Sequence, residues 1–190
     1  ELGKCMAKQA SRKGAEIRTK ALVTGITERF VIVNGKEKIS YNHLVGADGP
    51  LSSVRKHLSL QTDLFLEAFH YKTEKIFPKL ELSFDPDKFG PAYLWIFPHQ
   101  DHTSVGTGAG IDNNFNRRTR KAHILSLPDV KNNLDYFCKD KFDIKKADFE
   151  ASIINCDYKG HQFGNIFLAG DAAGLASELT GSGISSAILS

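Results

Sequence analysis

The sequence predicts a mixed α/β fold in which an α/β sheet binds a ligand and an antiparallel sheet is inserted. Two apolar runs, 43–47 and 166–169, each end in a turn that carries an aspartate, Asp48 or Asp171. Polar residues at strand tips are typical of open α/β sheets, whose ligands lie outside the carboxyl ends of the strands. Between these runs, residues 64–109 contain successive β segments at a spacing that favours an antiparallel sheet.

The composition indicates an ordinary globular protein of 190 residues, with 41% hydrophobic and 25% charged residues. A formal net charge of +3 gives no reason to expect a nucleic-acid partner. Cys5, Cys138 and Cys156 are scattered, which predicts free thiols in a reducing compartment such as the cytoplasm. No apolar run approaches the length of a bilayer span, whereas peripheral membrane contact remains open.

Both ends indicate a piece of a longer protein. The chain begins without Met, inside a predicted helix at 2–12, and Ser190 falls within a second helix. Residues 15–18 predict a short strand after Gly14, which would complete a strand–helix–strand crossover. The first half of such a crossover, where a Gly-x-Gly-x-x-Gly dinucleotide fingerprint would lie, is not in the sequence.

A small antiparallel meander is predicted next, from β segments at 20–26, 29–33 and 37–41. Asn34 and Gly35 form a two-residue hairpin signal, because both central positions of that turn require positive φ. We expect this meander to serve as scaffold.

The stretch 164–184 contains two glycine-rich turns. The first follows the apolar strand and holds Gly170, Asp171 and Ala172; an aspartate there can accept hydrogen bonds from sugar-alcohol hydroxyls. The second holds Gly181, Ser182, Gly183 and Ile184 and opens a helix, whose free amides favour a negatively charged partner. The ordinary explanation is that these glycines serve only close packing. Because two glycine-rich turns occur here, separated by small residues, we favour a binding role over that explanation.

A turn at Asp48 and Gly49 repeats this arrangement after the strand 43–47, and a helix containing Arg55 is predicted at 52–58. Asp-Gly turns are commonplace on their own. The repetition of an aspartate at a strand tip is what indicates a binding role.

The informative strand of the inserted sheet, which we place at 63–149, carries Tyr93, Trp95 and Phe97 on one face. If 99–102 forms a hairpin, these residues lie opposite Gly108, Gly106 and Ser104, respectively. Two explanations remain open. The glycines let the rings lie flat on backbone, or they shape a flat apolar pocket wall.

Other features favour ordinary structure. His99, Asp101 and His102 fall in the predicted hairpin tip, so no metal site is expected. A basic cluster of Arg117, Arg118, Arg120 and Lys121 is interpreted as a solvated helix face, with a lipid phosphate as the lesser alternative. Residues 129–141 predict an amphipathic helix that buries Cys138, and residues 149–156 predict a strand.

Three motifs carry a resemblance to a known family. The stretch 164–184 resembles the Gly-Asp motif of FAD-dependent oxidoreductases with the para-hydroxybenzoate hydroxylase fold. It is most similar to the geranylgeranyl reductase family, which has Gly-Asp-Ala-Ala-Gly-Leu followed by Pro-x-x-Gly-x-Gly-Ile. Asp48, Gly49, Ser52 or Ser53, and Arg55 match the superfamily motif Asp-Gly-x-x-Ser-x-x-Arg. The run Tyr93-x-Trp95-x-Phe97-Pro98, followed by Val105-Gly106, is similar to a motif of the reductase family.

The resemblance implies a partial, Rossmann-like FAD-binding domain made of 1–62 and 150–190, and a substrate domain at 63–149. Asp171 would hold the ribityl or pyrophosphate region, Asp48 would support the pyrophosphate, and the amides of 181–184 would face the flavin. The implied cofactor residues are Asp48, Gly49, Arg55, Gly170, Asp171, Ala172, Gly181, Ser182, Gly183 and Ile184. The implied substrate residues are Tyr93, Trp95, Phe97, Pro98, Gly106 and Gly108.

The implied activity is reduction of isoprenoid carbon–carbon double bonds by hydride transfer from reduced FAD, with NAD(P)H or ferredoxin as electron donor. The alternatives are a flavin monooxygenase or halogenase of the same fold, and a quinone-linked flavoprotein dehydrogenase. Glu178 stands where the family usually has proline, and Ser182 where it often has glutamate. Both departures leave the turn geometry and the substrate open.

Overall fold

The computed structural model describes residues 2–110, 125–142 and 148–190. By its contacts the chain forms two compact units, Glu1–His43 and Leu44–Ser190. The basic cluster predicted at 117–121 lies outside the described residues. The predicted division into 1–62 with 150–190, and 63–149, follows different boundaries and stays a prediction.

The first unit contains the predicted helix and meander. Helix α1 spans Leu2–Arg12, and an antiparallel sheet follows in the order β1-β2-β3, with bounds Val23–Ile26, Phe30–Val33 and Glu37–Ser40. Asn34 and Gly35 have the positive φ values expected, 52° and 71°. The prediction of a two-residue loop is wrong. Val33 pairs with Glu37, so the loop between them has three residues.

The strand predicted at 15–18 is also wrong, since these described residues adopt no strand conformation. This segment is held in the first unit by a side-chain interaction and not by backbone pairing with a strand. Both terminal nitrogens of Arg18 donate to the Glu37 carboxylate, at 2.9 and 2.6 Å. A β segment needs a neighbouring strand for its amides, and Arg18 gives this segment a different anchor.

A three-stranded sheet in the second unit aligns the two predicted strand tips. Its order is β10-β11-β4, with bounds Gln162–Phe163, Ile166–Leu168 and Leu44–Gly46. Strand β11 runs parallel to β4, so the turns that carry Asp48 and Asp171 leave the same edge. An apolar run such as 166–169 suits a strand buried on both faces, but this strand is buried on one face only. Ile166 and Leu168 are buried but Phe167 is half-buried, and its partner Val45 is exposed.

A five-stranded antiparallel sheet occupies most of the second unit. Its order is β6-β7-β8-β5-β9, and its strands are β5 Phe65–Thr73, β6 Glu81–Ser83, β7 Leu94–Pro98, β8 Thr103–Gly110 and β9 Asp148–Asn155. The unit's α-helices are α2 Ser53–His57, α3 Pro86–Phe89, α4 Leu127–Phe142 and α5 Ile184–Leu189, and a 3₁₀ turn spans Gly170–Ala172. The predicted mixed α/β fold with an antiparallel sheet is confirmed.

One face of this sheet forms the hydrophobic core against α3 and α4. Cys138 on α4 is 3% exposed, as predicted, and burial raises the pKa of its thiol to about 12. The buried members of this core are Phe69, Phe89, Leu94, Ile96, Val105, Val130, Leu134 and Cys138. Alternate residues of β7 therefore face the core, which leaves the others for the opposite face.

The predicted register of the aromatic strand is largely confirmed. Trp95 pairs with Gly106 and Phe97 with Ser104, across a loop closed by a hydrogen bond from the His99 amide to the His102 carbonyl. The third predicted pair is wrong, because Tyr93 precedes β7 and is outside the ladder. Its hydroxyl donates instead to the Thr180 carbonyl oxygen.

Within the described ranges, the structure contains no helix that is both long and apolar enough to cross a membrane.

Candidate cofactor and substrate site

Asp48 closes the amino-terminal end of α2. Its Oδ2 accepts hydrogen bonds from the amides of Ser53 (2.7 Å) and Val54 (3.4 Å), while Ser52 Oγ accepts from the Arg55 amide (2.9 Å). Two side chains thus satisfy amides that a helix leaves free in its first turn. The turn between β4 and α2, which includes Gly49, is held in place by these bonds.

Arg55 links α2 to the turn after β11. Its side chain is 2% exposed and donates to the backbone oxygens of Ala172 (3.4 Å), Gln61 (3.4 Å) and Asp157 (2.7 Å). The Asp157 carboxylate lies 3.5 Å from the guanidinium. Burial lowers the pKa of Arg55, and its Nε has no hydrogen-bond partner among the described residues. The arginine therefore joins four chain segments inside the unit.

Asp171 lies in the 3₁₀ turn that Gly170 starts at the carboxyl edge of the small sheet. Burial raises the pKa of its carboxyl group, and a hydrogen bond from the Asn155 backbone partly offsets the effect. A Cβ at Gly183 would lie 3.2 Å from Asp171 Oδ1. The structure thus brings the two predicted glycine-rich turns together at this carboxylate.

Sequence reasoning missed Asn155 and Asp157, which support this turn. Asn155 is fully buried; its side-chain amide donates to the Asp171 carbonyl (2.9 Å), and its Oδ1 accepts from the Asp157 amide (3.0 Å). The available signal was two polar residues after the apolar pair 153–154, at the end of a predicted strand.

The small residues after Asp171 pack against protein. Ala172 and Ala173 are fully buried. Gly174 has φ +76°, and a Cβ there would lie 2.3 Å from the Asp157 carbonyl oxygen. Glycine is required at this position for both reasons. The space beside it is occupied by backbone.

The second glycine-rich turn, 177–183, is closed by its own hydrogen bonds. The Ser177 amide donates to the Ser182 carbonyl (2.9 Å), and the Gly181 amide to the Ser177 carbonyl (2.8 Å). The Ser182 amide donates to Thr180 Oγ1 (3.3 Å). Two of the four amides predicted to face a ligand therefore have acceptors within the turn. Ile184 opens α5, where amides lack intrahelical acceptors.

A cavity of about 580 Å³ separates this turn from the five-stranded sheet. That volume is in the range of small-molecule pockets, about 300–1,000 Å³. It brings residues of both predicted sets together. Its lining residues are Leu64, Leu66, Glu67, Ala68, Pro91, Ala92, Tyr93, Trp95, Phe97, Gly108, Ala109, Ile154, Glu178, Leu179, Thr180, Gly181 and Ser182.

The aromatic wall of the cavity is continuous. The Trp95 and Phe97 rings stack at 5.8 Å and 22°, and Tyr93 lies 6.1 Å from Trp95. A Cβ at Gly106 would lie 2.5 Å from Trp95 Cζ2, so the indole ring lies against backbone there. Gly108 lines the cavity itself, whereas Gly106 and Pro98 do not. Each of the two explanations of the glycines thus applies to one of them.

A polar network that the sequence did not reveal holds the indole. Trp95 Nε1 donates to Ser104 Oγ (3.0 Å), which also bonds His70 Nδ1 (2.5 Å). His70 Nε2 lies 3.3 Å from the Glu150 carboxylate, which also accepts from Lys72 (2.6 Å). These side chains come from β7, β8, β5 and β9, so only the full register of the sheet could have predicted the network.

The edge of the wall is apolar and exposed. Leu82 pairs with Trp95 and is 47% exposed; the Phe84 ring lies 5.7 Å from Tyr93 and is 71% exposed. Among the described residues that line the cavity, the charged ones are Glu67 and Glu178. The wall is thus apolar, and the ionic groups that line the rest of the cavity are acidic.

Comparison with known proteins identifies the class. The family model described as an FAD binding domain matches residues 1–189. The chain belongs to this FAD-binding domain family, which confirms the predicted cofactor, FAD, and the predicted class of flavoprotein.

The particular relatives are reductases and other flavin-dependent proteins. The chain is 28% identical to digeranylgeranylglycerophospholipid reductase 2 of Methanosphaera stadtmanae, over 97% of the chain and 49% of that protein. It is similar to a geranylgeranyl bacteriochlorophyll reductase-like structure from Thermoplasma acidophilum (TM-score 0.75, 20% identity), covering 99% of the chain and 50% of that structure. The flavin-dependent brominase Bmp2 also shares the fold (TM-score 0.67, 14% identity), with 99% and 52% covered. The chain spans about half the length of the curated relatives it matches, and the predicted resemblance to geranylgeranyl reductases is confirmed.

Proposed function

We propose that the protein is an FAD-dependent oxidoreductase that reduces carbon–carbon double bonds of an isoprenoid lipid. The observation that carries this proposal is the cavity of about 580 Å³, which has an aromatic wall on one side and the glycine-rich turn on the other. A substrate on the wall and a flavin at the turn would share one space. The named reductase among the relatives supports the substrate class.

The described residues offer partners for two parts of FAD, the hydroxyls of its sugar alcohol and its flavin ring. The half-buried Asp171 carboxylate can accept hydrogen bonds from hydroxyls, and the turn at Gly183 approaches it closely enough that only glycine avoids a contact of 3.2 Å. The Ile184 amide at the start of α5 supplies a donor for negative charge. The bonds of Asp48 and Arg55 keep the neighbouring turns fixed. The carbonyls of Gly49, Gly170 and Ala172 contribute to this by accepting hydrogen bonds from the Ser52 amide, the Ala173 amide and the Arg55 side chain, respectively. When bound, FAD supplies the two-electron chemistry.

On the substrate side, the wall of Tyr93, Trp95 and Phe97 suits an uncharged chain or planar ring. Its apolar surface excludes water and positions a hydrocarbon by contact alone. Glu178 and Glu67 disfavour an anion in the cavity, since like charges repel. We infer that a lipid phosphate stays outside while its isoprenoid chain lies on the wall.

The same geometry supports our proposal of peripheral membrane contact. Exposed Leu82 and Phe84 extend the wall to the surface, which provides an apolar route for a lipid chain. The electron donor, NAD(P)H or ferredoxin, and the cytoplasmic location stay predictions.

The test uses the full-length protein that carries this chain, loaded with FAD and reduced without oxygen. A geranylgeranyl lipid is added and followed by mass spectrometry. We expect the lipid to gain hydrogen atoms in pairs as the flavin is reoxidised. An unchanged lipid beside a reduced, bound flavin would contradict the substrate assignment and favour an oxygen-using or quinone-linked reaction.

Trp95→Ala provides the matched variant for that experiment. It removes the largest part of the wall and leaves the turn at 177–183 intact. Turnover of the long-chain lipid should fall at least tenfold, because an indole buries more apolar surface than most side chains, and FAD retention should fall less than turnover. Equal losses of turnover and FAD would identify Trp95 as ordinary core.

A further inference from the structure

We propose that Tyr93 is a positioning residue whose hydroxyl, through the turn at 177–183, sets how tightly the protein holds FAD. The inference rests on the proposed function in assigning this turn to the flavin. It assigns the phenol a task beyond its place in the cavity wall.

The contact itself is specific. The Tyr93 hydroxyl donates to the Thr180 carbonyl oxygen at 2.8 Å. Its ring lies between Phe84 (5.7 Å) and Trp95 (6.1 Å), with both rings tilted relative to it. Packing on two sides limits the ring's orientation, so the hydroxyl is aimed at the turn.

The described contacts seat this turn on the sheet at two adjacent residues. One is the bond from Tyr93 to Thr180; the other is at Gly181, where a Cβ would lie 3.4 Å from Ile154 Cδ1 on β9. The remaining hydrogen bonds of Thr180 go to Ser177 and Ser182, inside the turn. They fix the turn's shape but do not hold it to the sheet.

Removal of the hydroxyl would therefore remove the hydrogen bond that holds the turn to the cavity wall and leave the approach of Gly181 to Ile154 as its remaining seat on the sheet. In the free protein the turn would sample positions other than the one that FAD requires. Because apparent affinity scales with the population of the competent state, FAD binding would weaken by the factor lost from that population. One hydrogen bond of ordinary net strength corresponds to about fivefold.

Tyr93→Phe in the full-length protein tests this directly. Tyr71→Phe is the matched control, because its hydroxyl donates to Asp135 on α4 at 2.7 Å, on the core side of the same sheet. FAD dissociation constants come from quenching of flavin fluorescence, with the absorption spectrum of the bound flavin and the thermal unfolding midpoint recorded beside them.

We expect Tyr93→Phe to raise the FAD dissociation constant about fivefold and to shift the absorption of the bound flavin. Tyr71→Phe should lower the unfolding midpoint at least as much but change the dissociation constant less than about twofold. Equal dissociation constants for the two variants would overturn the proposal, as would an unshifted spectrum in Tyr93→Phe. No substrate enters these measurements, so they separate this inference from the isoprenoid assignment, which fails only if the wild-type protein leaves the lipid unchanged.

Discussion

The side-chain amide of Asn155 donates a hydrogen bond to the backbone carbonyl oxygen of Asp171, at 2.9 Å. This bond joins the end of β9 in the large sheet to the turn after β11 in the small one. Asn155 is fully buried, and its Oδ1 accepts from the Asp157 amide. Asn155 thus links the two sheets of the second unit through one side chain that both donates and accepts, in addition to the bonds of Arg55 to Ala172 and Asp157.

Asn155→Ala should lower the free energy of unfolding by about 2 kcal/mol, because it leaves the part-buried Asp171 carbonyl and Asp157 amide without their partner. Denaturant unfolding provides the measurement. Asn133→Ala is the control, since its amide donates to the Lys88 carbonyl in an exposed setting, and its cost should stay below about 1 kcal/mol. Similar values for both variants would show that burial adds nothing at Asn155.

Asp171→Asn should stabilise the FAD-free protein while weakening FAD retention. Burial raises the pKa of Asp171 above its ordinary value, so the folded state binds its proton more tightly than the unfolded state does. The carboxyl group therefore costs no stability below its unfolded pKa, and costs progressively more as pH rises through the folded pKa.

The difference in unfolding free energy between Asp171→Asn and wild type should accordingly be small near pH 3.5 and grow toward neutral pH. FAD affinity measured at pH 7 should fall in the same variant. A stability difference that does not change with pH would argue against an unfavourable buried charge.

Ser104→Ala should change the emission of Trp95. The indole N–H loses its acceptor at 3.0 Å, and the wall around it is apolar, so emission should move to shorter wavelength. Subtracting the spectrum of a Trp95→Phe variant isolates the residue. Ser83→Ala, on the exposed edge strand β6, serves as the control, and a shift there of equal size would exclude the hydrogen bond as the cause.

The three cysteines should react with a thiolate-selective reagent in the order Cys5, Cys156, Cys138. Cys5 is exposed, whereas burial raises the pKa of Cys156 to about 11 and that of Cys138 from 9.0 to about 12. At pH 8, a thiol with a pKa of about 12 carries about a thousandfold less thiolate than one with a pKa of 9.0. Labelling followed by peptide mass spectrometry gives the order, and early labelling of Cys138 would mean that α4 opens readily.

Replacing both Leu82 and Phe84 with Ser should weaken binding to phosphatidylcholine vesicles at least tenfold, since each side chain contributes about 1.5–3 kcal/mol when buried. Co-sedimentation gives the bound fraction. Ile17→Ser with Leu22→Ser is the matched control, because both residues are exposed and belong to the first unit. Equal losses of vesicle binding in the two double variants would show that the edge of β6 is not the membrane contact.

Local patterns predicted the parts of this molecule that depend on local rules. The register of Trp95 with Gly106 followed from counting across a hairpin, and the turns of Asp48 and Asp171 were predicted at the ends of apolar strands. The prediction of a strand at 15–18 was wrong because a strand needs a partner strand for its backbone. This segment is held instead by the side chain of Arg18, which bonds to Glu37. The predicted pairing of Tyr93 with Gly108 was wrong because β7 begins at Leu94, and the Tyr93 hydroxyl bonds instead to Thr180, 87 residues away in sequence.

The supports of the candidate site were harder to predict. The side chains of Asn155 and Arg55 donate hydrogen bonds to backbone carbonyls of distant segments. Any residue type can supply a backbone carbonyl, so the sequence does not reveal these acceptors. His70 and Ser104 meet only after β5 pairs with β8. Such contacts leave no periodic signal in the chain, whereas strand tips and glycine-rich turns do.

Strand β7 divides its side chains between two tasks. Leu94 and Ile96 belong to the folding core, and Trp95 and Phe97 belong to the cavity. An exchange of Trp95 or Phe97 would change the surface of the cavity and leave the core residues Leu94 and Ile96 in place, although the four residues alternate along a single pentapeptide. In a strand arranged in this way, the residues that line the cavity and those that form the core can change independently of each other.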